Sequence, residues 1–428
     1  MPALHTMSEL GPSPLSVGDA QLSVAAARAA IHAAIRPVQE REVVALAQAL
    51  GRVLAADVVS PIDVPAHDNS AMDGYAFDGA LLDAGTDLTM PVLATVFAGQ
   101  PWAGAVPAGS SVRIMTGAVM PAGTDTVVPH ELCRVEQDRV RVPAGVIKPR
   151  ENLRRRGEDL MRGRPALRQG RRLRPADLGL LASLGIAEVD VYRRLRVALF
   201  STGDELRTLG QELPPGCVYD SNRYSLLGAL QRLGVEVIDL GLVRDDPAAL
   251  ETTLNAAVLQ ADVVLTSGGV SMGDADYIRE VLARLGQVAF WNVAMRPGRP
   301  FAFGPLHHGG RSAWLFALPG NPVAALVTFY AFAREALWAM AGASGETLVT
   351  LQVRAAAPMR KRPGRTEFQR GVVSRASDGG WQVAITGAQG AGILRSVSEA
   401  NALVVLAHEQ GSVAAGEPVE VWLFDGLM

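Results

Sequence analysis

The strongest constraint on this chain is a rhythm that begins at Leu195. Apolar runs at Arg196–Ser201, Val235–Leu240, Asp262–Thr266, Ala289–Ala294 and Ala313–Leu318 alternate with helix-length segments at Asn222–Leu233, Pro247–Leu259, Asp276–Leu285 and Pro322–Met340. Strands that read as near-continuous hydrophobic runs must be covered on both faces, and helices between them supply that cover. The fold class expected is therefore multidomain α/β plus β, centred on a doubly wound parallel α/β domain. Sheets of this kind bind ligands in the crevice beyond the strand C-termini, so the loops there are the first place to look for chemistry.

On both sides the pattern changes. Residues 56–144 and 346–428 show short β-branched pieces separated by Pro/Gly turns, which predicts two small β domains. Ser16 can cap an Ala-rich helix running to Ile35, and a second helical stretch is expected over Val43–Leu54. Residues 145–194 hold a basic loop, Arg150–Arg164, and a helix starting at Pro175. They are too few for a domain and are expected to pack back on residues 14–55 as one elongated, discontinuous N-terminal domain. The α/β domain is placed at 195–342 and the last β domain at 346–428.

At 428 residues and a net charge of −3, the chain lacks the basic excess of a general nucleic-acid binder. All but two of its 40 basic residues are arginine, the exceptions being Lys148 and Lys361. Two cysteines without a Cys-x-x-Cys pair give neither a disulfide framework nor a thiolate cage. No secretory leader is expected in Met1–Ser13, and prolines interrupt the most apolar stretch, Ala313–Ala333, against a membrane span. A cytoplasmic setting without nucleic-acid or membrane partners is expected.

Three loops follow α/β strands. Ser201-Thr202-Gly203-Asp204-Glu205 places two carboxylates at a strand end, where they suit Mg²⁺, a hard cation taking oxygen ligands. A solvated turn explains the same residues. Thr266-Ser267-Gly268-Gly269-Val270-Ser271 offers backbone N–H groups and hydroxyls before a helix, an arrangement that can cradle phosphate. Asp276 stands just beyond, and two acids on different loops (Glu205 and Asp276) make a more credible metal pair than either alone. Leu318-Pro319-Gly320-Asn321-Pro322 is a rigid turn before a long helix. Arg296-Pro297-Gly298-Arg299-Pro300 can clamp an oxyanion or serve as a solvated turn, and His307-His308 is expected in an exposed loop. Asp245 is either a ligand-contacting acid or part of a helix cap.

Taken together with Asp68-Asn69-Ser70-Ala71-Met72-Asp73-Gly74-Tyr75-Ala76, Arg113-Ile114-Met115-Thr116-Gly117-Ala118, Arg155-Arg156-Gly157-Glu158-Asp159, Pro363-Gly364-Arg365 and Phe368-Gln369-Arg370-Gly371, these loops occur in the order of one family. The chain resembles the molybdopterin molybdenumtransferases of the MoeA type, related to the E domain of gephyrin, from about residue 16 to 426. The resemblance implies a homodimer that inserts molybdate into adenylylated molybdopterin with release of AMP and dependence on Mg²⁺. It implies that Glu205 and Asp276 hold the metal. Ser267, Gly268, Gly269 and Ser271 would cradle phosphate, and Pro319, Gly320, Asn321 and Pro322 would wall the nucleotide or molybdate pocket. Asp73, Thr116 and Asp159 would complete the cleft. Asp245 and Arg365 match functional positions as well. The family usually carries lysine where Arg296, Arg299 and Asn292 stand. Partners implied beyond the substrates are a molybdopterin adenylyltransferase and downstream molybdoenzyme machinery. Two other readings remain: a sibling enzyme that adenylylates molybdopterin with ATP, and a receptor-clustering scaffold.

Overall fold

A computed structural model describes residues 21–269, 276–345 and 348–424. The α/β unit is built on β1 (Arg196–Thr202), β2 (Glu236–Val243), β3 (Val263–Ser267), β4 (Ala289–Asn292), β5 (Pro300–His308) and β6 (Arg311–Leu318), in spatial order 2-1-3-6-5-4. Strands 2, 1, 3 and 6 are parallel, as the apolar runs predict. β5 is antiparallel to both β6 and β4, so the sheet is mixed and not wholly parallel. The segment after Pro300 escapes notice in the sequence because it begins with proline and ends in His307-His308. Those histidines end a strand, with His308 opposite Arg311.

The helices are α1 (Ser221–Leu233), α2 (Pro247–Gln260) and α3 (Asp276–Leu285), followed by α4 (Pro322–Thr328), which continues through a π-turn at Phe329–Ala333 into Arg334–Met340. Alternate strand residues feed two cores. Val197, Leu199, Leu265 and Phe316 face one, with α1 and α4. Ala198, Phe200, Val264 and Leu315 face the other, with α2. Each large apolar side chain so buried contributes about 1.5–3 kcal/mol. The run Pro322–Met340 has the length and hydropathy to cross a bilayer, yet 78% of it is buried in this core.

Two expectations at the N-terminus are corrected. The helix Val24–Ala34 is capped by Ser23, whose side chain accepts from Ala26 N–H, and the Ser16 cap lies outside the described residues. Its buried face, Val24, Ala27 and Ile31, packs into the α/β core and not into a separate domain. Residues Val43–Leu54 do not form a helix. Arg41–Ala45 is a strand, as two consecutive β-branched valines favour, and it pairs antiparallel with Glu188–Tyr192. A short 3₁₀ turn follows. Residues 145–194 do return to this region: Pro165–Leu167 pairs with Val58–Val59, and Leu54, Leu173, Leu181 and Val191 share one core.

Helix Pro175–Ser183 in that unit is fixed by Asp177, only 5% exposed. Its carboxylate accepts from Arg174 N–H at 2.9 Å and from two guanidinium nitrogens of Arg171 at 2.9 and 3.1 Å. Asp177→Ala is expected to cost about 1–3 kcal/mol, read as a lower denaturant midpoint.

The first β unit is a six-stranded sheet in the order Thr126–Pro129, Gly74–Phe77, Ser111–Ile114, Leu88–Val96, Arg139–Val142, Arg134–Glu136. The C-terminal unit closes on itself. Its order is Thr366–Arg375, Trp381–Ile385, Thr350–Ala355, Pro418–Leu423, Ala402–Leu406, and the last pairs again with the first. Closure removes the exposed edges of a small sheet. Met295–Arg296, from the α/β part of the chain, pairs parallel with Thr366 and Glu367 of this barrel. That pairing places the arginine loop at the barrel wall.

Candidate functional site

The three predicted loops meet at the C-terminal edge of the parallel strands. Ser267 ends β3 and is 2% exposed. Its hydroxyl accepts from Asn222 Nδ2 at 2.7 Å and donates to the Pro319 carbonyl at 3.4 Å. The same Asn222 amide donates to the Gly320 carbonyl at 2.6 Å, so one side chain at the start of α1 pins two loops. Gly268 has φ +97°, and a Cβ there would stand 2.2 Å from the Thr202 carbonyl oxygen. Only glycine fits that close approach. Gly269, also at positive φ, continues the turn. Ser271 lies outside the described residues. Asp276 opens α3, and its side chain lies outside them as well.

Below the loops a second buried network sets α1. Asp220, 1% exposed, accepts from Ser201 Oγ at 3.0 Å and from Arg223, which also binds Asp239. At the rim, Glu205 is exposed and folds back over Gly203, its Oε2 lying 2.6 Å from where a Cβ would be. Asp245 accepts from Thr202 Oγ1 at 3.4 Å, and its N–H donates to Asp204 Oδ1 at 3.4 Å. Asp204 and Asp245 thus meet at one loop, with Glu205 exposed on the neighbouring turn; all three are oxygen donors, the chemistry that suits Mg²⁺ and not a thiophilic metal. Among the described residues no three His, Cys, Asp or Glu side chains gather into a cage. A cation here would complete its shell with water and phosphate oxygens.

Between the arginine loop and the C-terminal barrel lies a cavity of about 370 Å³ whose walls include Arg296, Pro297, Arg360, Glu367, Gln369 and Arg370. Arg370 is 1% exposed. Its guanidinium donates to Ser396 Oγ at 3.0 Å and to the carbonyls of Gly390 and Phe368 at 3.2 and 3.4 Å, all neutral acceptors. Burial, with the like charge of Arg296, pulls its pKa down to about 10. A buried cation without a carboxylate partner is costly and calls for an anion. Near it the C-terminal unit meets α4: Val323 N–H, at the head of that helix, donates to the Ala391 carbonyl at 3.0 Å, next to the Gly390 that accepts from Arg370.

Sequence reasoning treats Arg296 and Arg299 alike, but only Arg296 lines this cavity. Arg299 is exposed, and its carbonyl accepts from Val293 N–H. Arg365 is exposed on the Pro363–Arg365 turn and does not line the cavity either. Asn321 caps α4 through its backbone alone. In the first half of the chain, Asp73 Oδ1 accepts from the N–H and hydroxyl of Thr116 at 2.6 and 2.7 Å, which hold its carboxyl below the usual range. Asp159 is exposed on the next loop, its N–H donating to the Val64 carbonyl at 3.0 Å. The hydrogen bonds of Asp73, Thr116 and Asp159 stay within the first half of the chain. Asn222 and Glu367 carry no role in the sequence reading. Arg370 appears there only inside Phe368-Gln369-Arg370-Gly371. The available signal was its position within a β-strand whose neighbours are all buried.

Comparison with known proteins fits this arrangement. A curated molybdopterin molybdenumtransferase of Haemophilus influenzae is 44% identical over 390 residues, covering 91% of this chain and 95% of the relative. The chain belongs to the molybdopterin molybdenumtransferase family. A second molybdopterin molybdenumtransferase, from Nostoc, is 38% identical and covers 90% of this chain and 88% of its own length. Three family profiles match in order: the MoeA N-terminal region (domain I and II) over residues 22–185, a probable molybdopterin binding domain over 198–339, and the MoeA C-terminal region (domain IV) over 352–424. The solved molybdopterin biosynthesis moeA protein of Pyrococcus horikoshii superposes with a TM-score of 0.80 at 27% identity, covering 95% of this chain and all of that one. The family's molybdopterin-binding profile falls on the loops of Ser267–Gly269 and Pro319–Pro322, whereas Arg370 belongs to the C-terminal profile.

Proposed function

We propose that this protein is a molybdenumtransferase of molybdenum cofactor biosynthesis, which inserts molybdate into adenylylated molybdopterin, releases AMP, depends on Mg²⁺ and works as a cytoplasmic homodimer. One observation carries the reading. Arg370 is a fully buried cation without a carboxylate partner among the described residues, beside a cavity that Arg296 also lines. Molybdate is a compact tetrahedral dianion, and such a pocket offers it charge-assisted hydrogen bonds.

The Ser267–Gly269 turn receives the phosphates through its backbone N–H groups, and Asn222 keeps it in register with Gly320. Arg296 and Arg370 hold the oxyanion. Glu205, with Asp276, would hold Mg²⁺ at the pyrophosphate. When bound, the ion neutralises charge on the oxygens of the phosphoanhydride. In this reading Asp73, Thr116 and Asp159 complete the cleft from the partner subunit. Molybdopterin adenylyltransferase and the molybdoenzyme machinery stand upstream and downstream.

The deciding experiment incubates purified protein with adenylylated molybdopterin and molybdate and follows AMP. AMP release is expected to require molybdate, and chelation of Mg²⁺ to slow it on the order of 100-fold. ATP consumption with molybdopterin would identify the sibling adenylyltransferase instead. Binding of a receptor peptide without any turnover would point to a scaffold.

A further inference from the structure

The three ligand loops share one anchor, the head of α1. The buried face of that helix, Leu226, Leu230 and Leu233, packs with Leu199 of β1, Leu265 of β3 and Leu318 of β6 in a single core. Close packing makes the helix a fixed reference for the strand ends. Its N-cap, Asp220, accepts from Ser201 Oγ at 3.0 Å, one residue before the Thr202–Glu205 loop. Two residues on, Asn222 donates to Ser267 Oγ at 2.7 Å and to the Gly320 carbonyl at 2.6 Å, which belong to the other two loops.

The orientation of the Asn222 amide is forced. A carbonyl can only accept, so the nitrogen must face Gly320, and Oδ1 is left buried with no donor among the described residues. Ser267, having accepted from Asn222, turns its own proton to the Pro319 carbonyl at 3.4 Å. Two consecutive carbonyls of the Pro319–Pro322 wall are thus held, one through Ser267 and one by Asn222 itself. The loops are close there: a Cβ on Gly320 would stand 3.7 Å from Gly268 Cα. Among neutral side chains only the primary amides offer two donors from one nitrogen, and glutamine adds a methylene that a packed site resists. Both amide protons of Asn222 are committed and its oxygen is buried, so the side chain has nothing left to offer a substrate directly.

We propose that the first turn of α1 is the positioning element of the ligand loops, and that Asn222 is the residue through which it acts: its amide fixes the gap between the phosphate loop and the Pro319–Pro322 wall. The inference rests on the transferase reading given above. Groups that grip one substrate from two loops must keep their spacing, because a misplacement of about 1 Å costs on the order of 100-fold in rate.

The test compares Asn222→Leu, Asn222→Ala, Ser267→Ala and the Asn222→Leu/Ser267→Ala double variant with the unaltered protein. Calorimetry with AMP and Mg²⁺ reads affinity and the fraction of competent sites. Calorimetry with molybdate reads the Arg370 cavity, and AMP release reads kcat. Asn222→Leu keeps nearly the same volume and adds no charge. In it, AMP affinity is expected to fall roughly 10-fold and kcat roughly 100-fold, with every site competent. Molybdate affinity stays within about 2-fold, since the cavity shares no partner with Asn222. The double variant loses less than the product of the single losses, because both substitutions act through one hydroxyl. Where Asn222→Ala fails to fold, Asn222→Leu and Ser267→Ala carry the comparison. Unchanged AMP affinity and kcat in Asn222→Leu overturn the inference and leave the transferase reading standing. Fewer competent sites at unaltered affinity also overturn it, by making the residue structural. So do a parallel fall in molybdate affinity and single losses that multiply in full. Absence of AMP release from the unaltered protein removes the transferase reading, and the inference with it.

Discussion

Replacing Arg370 by methionine is expected to weaken molybdate binding by roughly 100- to 1,000-fold while moving the unfolding temperature by no more than about 4 °C. The two effects separate because the guanidinium serves the ligand more than the fold. Its partners are a serine hydroxyl and two carbonyls, and burial depresses its pKa to about 10. Removing a buried cation without a counter-charge relieves a desolvation cost, whereas the abandoned Gly390 carbonyl loses a donor. These terms oppose each other, and methionine fills most of the volume. Binding has no such compensation, because on the proposed reading the buried charge that meets the anion disappears. Calorimetry with molybdate and a thermal melt on the same preparation check both halves. A large fall in melting temperature with intact affinity would return Arg370 to the role of a packing residue.

Glu205→Ala is expected to suppress AMP release on the order of 1,000-fold and to leave the unfolding midpoint within about 0.5 kcal/mol of the unaltered protein. Glu205 is exposed at the rim of the phosphate loops, so its truncation opens no hole in the core. The effect should fall on the Mg²⁺ dependence: a higher metal concentration recovers part of the rate, as it would not for a residue that only shapes the loop. Normal Mg²⁺-dependent turnover in this variant would remove Glu205 from the metal site.

The parallel half of the central sheet was legible from the sequence because its strands are apolar on both faces, which leaves a continuous run. β5 was not, since proline and paired histidines mask it and its antiparallel direction leaves no mark on composition. The Val43–Leu54 stretch misled because its alanines and leucines suit a helix, while the pairing partner that makes it a strand lies more than 140 residues away at Glu188–Tyr192. Phosphate-loop glycines announce themselves, since a positive φ and a 2.2 Å approach at Gly268 leave no alternative residue. Arg370 could not be weighed this way. In a chain whose basic residues are almost all arginine, composition singles out none of them, and burial is what marks Arg370. The difference between Arg296 and Arg299 follows from register alone: one pairs with the barrel strand and the other does not.

That pairing has a mechanical consequence. Two residues from the middle of the chain supply hydrogen bonds to a barrel whose other strands all come from its end. The barrel is also welded to the α/β unit from the side: Phe368, Leu403 and Trp422 share one buried cluster with Phe301, Phe316 and Phe332. The spacing between Arg296 and Arg370 is therefore set by a strand register and a common core, and loosening either one alters the clamp.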